Sequence, residues 1–304
     1  MHIPDGYLRP EIWAAFDLFS LPATGYLATR MGHTGTSPKI PLLGVMGAFV
    51  FAAQMINFPV GFGTTGHFLG STLLAVTLGP VPAALVLAII IGIQALVFQD
   101  GGLLAWGANT FNMAFCGVAA GYLPFVLFGR GRLRLVAVFL GGVLSVITGA
   151  TLALLMLKAS GNPVTPAIFG GSVILFLITG LLEGAISVSV FEAIERMNPT
   201  WIEEQTRNQE KVKSLLLGLA LSLALVGILF ASPLPDVLEK AAETMGITKL
   251  ETHLLQTPLA GYEFAEITNQ YLRKAVGGLA GIGLVYAACL LLTRNLRPQK
   301  MEKQ

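Results

Sequence analysis

The first two residues of the chain offer three nitrogen donors to a metal ion. The α-amine of Met1, the amide nitrogen of His2 and the Nδ1 atom of His2 can close fused five- and six-membered chelate rings around one ion. A nitrogen set that includes a deprotonated amide favours square-planar geometry, which suits Ni(II) or Cu(II) and is poor for tetrahedral Zn(II). Met1 to Pro10 lacks the basic and apolar regions of a signal peptide. We therefore expect the mature chain to begin at Met1.

One further nitrogen would complete a plane, and His67 is the candidate. It lies in the glycine-rich segment NFPVGFGTTGHFLG, which leads into an apolar stretch. Pro4 fixes φ and Gly6 is permissive, so the first residues can fold back into a helix bundle. A histidine at position 2 or in a loop is also commonly a surface or packing residue, so both interpretations stay open. Two other histidines are weaker candidates, namely His33 and His253.

Polar residues near the predicted helix ends could support the metal-binding rings. Metal-bound imidazoles usually donate their other N–H to a carboxylate, carbonyl or amide oxygen. Seven residues could accept such a bond: Asp5, Asn57, Thr65, Gln99, Asp100, Asn109 and Asn112. Capping and turn formation are the alternative role for such residues. Glu183 and Asp17 lie inside predicted membrane helices, where an ionisable group is either functional or a hydrogen-bonded packing group.

The composition indicates a membrane protein. Of the 304 residues 54% are hydrophobic and only 12% are charged, and the mean hydropathy of +0.72 is too high for a soluble domain. The net charge of +2 gives no indication of nucleic-acid binding. Cys116 and Cys289 lie in separate apolar segments without CxxC spacing and are interpreted as packing thiols. Neither a Walker A pattern nor an HExxH pattern occurs, which argues against an ATPase or a metalloenzyme.

Apolar stretches predict seven membrane helices followed by two more. A bilayer core needs roughly 20 apolar residues per helix, and single apolar runs in lipid must be helical. The predicted helices cover residues 12–30, 40–58, 66–78, 81–98, 106–128, 133–157, 172–195, 213–231 and 275–293. Most Lys and Arg residues fall in inside loops if the N-terminus is extracytoplasmic and the C-terminus cytoplasmic. This orientation puts Met1 and His67 on the same, outer side.

A polar stretch divides the chain into two predicted domains. The sequence ERMNPTWIEEQTRNQEK places the boundary near Gln205, between a metal-capture domain of residues 1–205 and an accessory domain of residues 206–304. The accessory hairpin encloses an extracytoplasmic segment at about 232–274, with a short amphipathic helix around Asp236 to Met245. No internal repeat suggests the inverted halves of a secondary transporter. A proton-driven nickel or cobalt permease acting alone remains the alternative function.

Three sequence motifs carry a resemblance to a known family. They are MHIPDGYL at the start, QMINFPVGFGTTGHFLG from Gln54 to Gly70, and FQDGGLLAWGANTFNMA from Phe98 to Ala114. Together they resemble the CbiM/NikM family, the metal-specific substrate-binding (S) components of energy-coupling factor transporters. The resemblance covers about residues 1–205 and implies an all-α integral membrane protein, with a seven-helix S-component bundle followed here by a two-helix transmembrane hairpin.

The resemblance also implies a ligand set. In the family the N-terminus dips into the bundle from outside, and the metal is held by the Met1 amine, the amide and ring nitrogens of His2, and the His67 ring. No cofactor is implied, because the metal is the transported ligand. The planar nitrogen set favours Ni²⁺, with Co²⁺ next.

The C-terminal part resembles a small accessory component of nickel-type systems. SPLPDVLEKAAETMG is similar to the NikN or PDGLE type, although Val237 stands where that motif normally has glycine. The resemblance implies a transmembrane coupling protein and two cytoplasmic ATPase subunits as partners, in a bacterial or archaeal cytoplasmic membrane. The fused hairpin is then expected to contact the outer face and to aid loading of the site.

Overall fold

The computed structural model describes residues 1–33, 40–197 and 209–295, and most of these residues are helical. The helices are α1 (Pro10–His33), α2 (Ile40–Gln54), α3 (Ser71–Leu78), α4 (Pro80–Phe98), α5 (Trp106–Phe128), α6 (Arg134–Ala159), α7 (Pro166–Met197), α8 (Gln209–Leu225), α9 (Val237–Met245) and α10 (Gln270–Asn295). The predicted domain boundary near Gln205 lies outside the described residues.

Five of the described helices are long and apolar enough to cross a membrane: α4, α5, α6, α7 and α10. Each coincides with a predicted span, which confirms a helical, multi-pass membrane protein. The predicted count of seven plus two is not confirmed. Helices α2 and α8 have 15 and 17 residues, below the roughly 20 that a bilayer core requires. Helix α1 is not among the described helices that are both long enough and apolar enough to cross a membrane.

A β-hairpin forms in the glycine-rich segment between the predicted helices 40–58 and 66–78, and it overlaps the end of the first and the start of the second. Its strands are β1 (Asn57–Gly61) and β2 (Thr64–His67), which pair antiparallel with Asn57 opposite His67. The eight-residue α3 that follows is about 12 Å long, so the prediction of one membrane helix over 66–78 is wrong. The β-branched Thr64 and Thr65 favour a strand, and Gly70 has a φ of +79°, which interrupts a helix.

Small residues bring the long helices close together. A Cβ atom at Gly142 of α6 would lie 2.6 Å from the Cα atom of Gly184 in α7, so these backbones are in direct contact. The last helix packs on α2 in the same way, because a Cβ atom at Gly44 would lie 2.7 Å from the ring of Tyr286. The C-terminal helix is therefore packed against the N-terminal bundle.

Two helices that approach the N-terminal segment contain π-helical turns. These are Gln94–Phe98 at the end of α4 and Thr110–Gly117 within α5. Helix α4 ends at Phe98, and the next residue, Gln99, has a left-handed φ of +55°. Such turns occur often at functional sites, and here they lie on either side of the connection that contacts Met1 to Asp5.

Candidate metal centre

The N-terminal segment is inserted into the protein interior. Met1, His2 and Ile3 are 4%, 7% and 0% exposed. Asn109 fixes Ile3 through two hydrogen bonds: its Oδ1 accepts from the Ile3 N–H at 2.8 Å and its Nδ2 donates to the Ile3 carbonyl at 3.0 Å. The inserted backbone is therefore satisfied by a helix side chain, as a buried polar segment requires.

Asp5 anchors the same segment to the start of α5. Its carboxylate accepts hydrogen bonds from the backbone N–H groups of Leu103, Leu104 and Ala105 at 2.9, 2.8 and 3.2 Å. A Cβ atom at Gly102 would lie 2.0 Å from an Asp5 oxygen, so only glycine leaves room for this contact. The capping role considered for Asp5 is the one that the structure shows.

The Met1 amine lies beside the His67 ring. The amine nitrogen is 3.1 Å from His67 Nε2, and His67 Nδ1 is 3.2 Å from the carbonyl oxygen of Phe68. Because a carbonyl only accepts, Nδ1 carries the proton, and Nε2 has a free lone pair directed at the amine. Two nitrogens bound at about 2.0–2.1 Å and at right angles would lie roughly 2.9 Å apart. The observed separation fits adjacent positions around one metal ion.

The His2 ring lies alongside the His67 ring. Their centroids are 5.6 Å apart and their planes differ by 7°. His2 Nδ1 is 3.1 Å from Oδ1 of Asp100, within ion-pair distance of that carboxylate. Within the described part of the chain, neither ring nitrogen of this buried histidine makes a well-aligned hydrogen bond. A buried ring nitrogen without a well-aligned hydrogen bond is free to bind a metal ion.

In the described part of the chain, side chains alone do not form a metal site. Among the residues whose structure is described, no group of three His, Cys, Asp or Glu side chains is arranged to hold a metal ion. A site at His2 and His67 must therefore take further donors from the backbone. The α-amine of Met1 and the amide of His2 are the nitrogens in position to do so.

Two residues of the C-terminal part reach this centre, and neither was predicted as a site residue. Asp236, directly before α9, forms an ion pair with the Met1 amine, and Tyr262 donates a hydrogen bond to Asp100. Burial raises the pKa of Asp236, but the positive charge of the Met1 amine and then His67 lower it more, so this carboxylate is ionised. The DVLE sequence, typical of a capping box, could have identified Asp236 as a helix cap but not as a partner of Met1.

The predicted supporting residues divide into three groups. Asp100 contacts the His2 ring, and Asn57 pairs with His67 through its backbone. Asn109 binds the backbone of the N-terminal segment, and Asp5 attaches that segment to the backbone before α5, so neither contacts a ring. The structure does not place the remaining three on an imidazole ring: Thr65, Gln99 and Asn112.

Those three residues contact other parts of the protein. The Thr65 hydroxyl lies 3.1 Å from the Leu234 carbonyl oxygen, and Gln99 donates to the carbonyl of Leu255. Both therefore attach the C-terminal part to the bundle. Asn112 Nδ2 lies 3.4 Å from the sulfur of Met156, inside the bundle.

The remaining candidates have structural contacts away from the centre. Glu183 and Asp17 accept hydrogen bonds from backbone N–H groups, as expected of packing groups. His253 is exposed and lies 3.8 Å from Glu251. The side chain of His33 lies outside the described part. Cys116 is half-buried and Cys289 is buried.

A cavity of about 380 Å³ opens beside the centre. Its lining combines residues of the N-terminal bundle, including His67 and Asp100, with residues of the C-terminal part, including Asp236, Glu239 and Tyr262. Both parts of the chain therefore line the cavity beside His67.

Comparison with known proteins identifies the family. The family described as "CbiM: Cobalt uptake substrate-specific transmembrane region" matches residues 2–201. A protein named putative fused nickel transport protein NikMN, from Archaeoglobus fulgidus, is 33% identical over 98% of this chain and 99% of its own length. A probable fused nickel transport protein LarMN, from Lactiplantibacillus plantarum, is 30% identical over 98% of both chains.

Solved structures agree with this assignment. The crystal structure of a truncated transition metal transporter superposes with a TM-score of 0.57 at 32% identity, covering 64% of this chain and 99% of that one. The CbiM match, the full-length similarity to fused nickel transport proteins and the shared fold show that this chain belongs to the CbiM family of transmembrane metal transport proteins.

Proposed function

We propose that this chain captures nickel, with cobalt the next candidate, as the substrate-specific subunit of an ATP-driven energy-coupling factor transporter. The observation that carries the proposal is the Met1 amine 3.1 Å from His67 Nε2, next to a buried His2 ring without a well-aligned hydrogen bond. Similar proteins named nickel transport protein NikMN and cobalt transport protein CbiM support the choice of metals.

The proposed ligands are four nitrogen atoms: the Met1 amine, the His2 amide, His2 Nδ1 and His67 Nε2. The amine must lose one proton and the amide another before both can bind, so one divalent ion releases two protons. Counting only the four nitrogen ligands and the metal ion, the charge is then +1 in both states. Before binding it comes from the ammonium, and after binding it comes from M²⁺ together with one amidate. No resident cofactor is needed, because the metal ion is the cargo.

The proposed arrangement in the membrane places the N-terminus outside and the C-terminus in the cytoplasm. The excess of Lys and Arg in the predicted inside loops supports this orientation in a bacterial or archaeal cytoplasmic membrane. Because the sequence has no Walker A pattern, ATP is hydrolysed by partners, which we take to be two cytoplasmic ATPases joined through a transmembrane coupling protein.

Residues 1–205 form the proposed capture domain and residues 206–304 the proposed accessory domain. The cavity beside His67 is lined by both parts, which supports a role of the accessory segment at 232–274 in loading the site.

Uptake of radioactive nickel by cells tests this proposal. Cells that produce the full chain with the coupling protein and both ATPases are expected to accumulate nickel, and cells with ATPases inactivated at the Walker A lysine are not. Uptake that persists without the ATPases would instead support the proton-driven permease. Loading the purified chain with nickel and cobalt in competition, followed by visible absorption, tests the metal preference.

A further inference from the structure

A segment of the accessory part lies along the hairpin that carries His67. We call residues Ser232 to Asp236 the docking strand. At one end the Ser232 N–H donates to the Asn57 carbonyl at 2.9 Å, and near the other the Thr65 N–H donates to the Pro235 carbonyl at 2.9 Å. Thr65 and Asp236 form a parallel bridge. The docking strand therefore uses backbone groups of both hairpin strands, an arrangement that resembles strand addition to a sheet.

The docking strand ends with Asp236 against the Met1 amine. The two carboxylate oxygens have different partners: Oδ1 accepts from the Glu239 N–H at 2.8 Å, and Oδ2 faces the amine. The Glu239 side chain in turn accepts from the Asp236 N–H at 2.7 Å, which completes a capping box. The side chain of Asp236 is only 16% exposed. Its orientation is thus fixed by α9, independently of Met1.

We propose that Asp236 is a positioning residue for metal capture, which holds the Met1 nitrogen beside His67 and supplies the counter-charge of the site. This inference rests on the proposed function. The ion pair keeps the amine on the His67 side of the site, so an incoming metal ion meets a nitrogen that is already in place. The accessory part then contributes directly to metal affinity, in addition to any role in the path of entry.

The test is nickel affinity of the purified full-length chain in detergent, measured by competition with a chelator. Asp236→Asn removes the charge but keeps an oxygen for the helix cap, because asparagine is as good a capping residue. We expect its Kd to rise by roughly 10- to 100-fold, as for other residues that support metal ligands, while the absorption spectrum at saturation stays that of the wild type. Glu243→Gln, an exposed residue of the same helix, is the matched control and should stay within about twofold.

Three results would separate the explanations. A Kd of the Asp236→Asn variant within twofold of wild type would overturn the inference. So would a lower binding stoichiometry with unchanged Kd, because that result indicates a purely structural role. If the asparagine variant does not fold, Asp236→Ser keeps a capping oxygen without charge and is held to the same criteria. Failure of the wild-type chain to bind metal would instead contradict the proposed function itself.

Discussion

The carboxylate of Glu183, near the middle of α7, accepts a hydrogen bond of 2.7 Å from the backbone N–H of Leu69. Its other oxygen accepts from the Gly70 N–H at 2.8 Å. These two N–H groups lie just after His67, where the chain passes from β2 into α3. Gln54 donates to the Leu69 carbonyl at 2.8 Å from the other side. One buried side chain therefore fixes the backbone that presents His67.

Replacing Glu183 is expected to weaken both the fold and metal binding. Glu183→Gln leaves one buried N–H facing an amide NH₂, and a buried N–H without an acceptor costs about 1–3 kcal/mol. Thermal unfolding in detergent should show a lower midpoint, and the nickel Kd should rise because His67 is less well held. Glu192→Gln, on the exposed part of α7, is the control. An unchanged midpoint for Glu183→Gln would show that these hydrogen bonds contribute little.

Extending the N-terminus should abolish high-affinity binding. Adding Gly-Ser before Met1 converts its amine into an amide and separates the new amine from His2, so the chelate of amine, amide and ring is lost. Two residues are added because one would leave a terminal amine that can still chelate with His2 through two amides. We expect the nickel Kd to rise at least about 100-fold by calorimetry, since the amine donor and the chelate rings that depend on it are lost. The same dipeptide at the C-terminus is the control, and equal affinities would exclude the Met1 amine as a ligand.

Gly102 tests whether the N-terminal segment must be docked. A Cβ atom there would lie 2.0 Å from Asp5 Oδ1, so Gly102→Ala should displace the segment and raise the nickel Kd by roughly tenfold or more. At Gly170 in α7 a Cβ atom would meet nothing within 4 Å. Gly170→Ala should leave binding unchanged, and alanine is favoured over glycine in a helix by about 0.5–1 kcal/mol. Wild-type affinity in the Gly102 variant would mean that the segment can bind metal without this contact.

Metal affinity should depend steeply on pH. If binding releases two protons, one from the ammonium and one from the amide, the affinity falls by about 100-fold for each unit of decreasing pH near neutrality. The lowered pKa of Asp236 keeps that carboxylate ionised over the same range, so it does not contribute to the slope. Proton release can be measured directly by titrating nickel into weakly buffered protein. A slope near zero would be inconsistent with an amine and amide ligand set.

The sequence was sufficient for the elements whose signal is local. Five membrane helices, including Pro166–Met197, follow from the length and hydropathy of their apolar runs. The proximity of Met1 and His67 agrees with their predicted placement on one side of the membrane, and their role as metal ligands stays a prediction. The hairpin was missed because its glycine-rich sequence indicated a loop between two helices.

The contacts of Asp236 and Tyr262 could not be predicted in the same way. Asp236 meets Met1 across 235 positions of the sequence, and no local pattern encodes that pairing. Tyr262 stacks on Phe98 with centroids 4.8 Å apart, a contact that depends on how the accessory segment lies on the bundle. For Thr65 and Gln99 the residue type correctly indicated a polar contact. In each case, however, the partner is a backbone carbonyl of the accessory part and not a metal-binding ring.

The ion pair between Met1 and Asp236 also has a consequence for the order of synthesis. Met1 is the first of these residues to be translated, yet its carboxylate partner is added 235 residues later. At about 5–20 residues per second the ribosome needs roughly 10–50 s to reach Asp236. During that interval the helices of the bundle are synthesised while Asp236, the partner of the Met1 amine, is still missing. The nascent chain therefore completes the contacts of the candidate metal centre only after residue 236 has been added, when its first residue meets the accessory part.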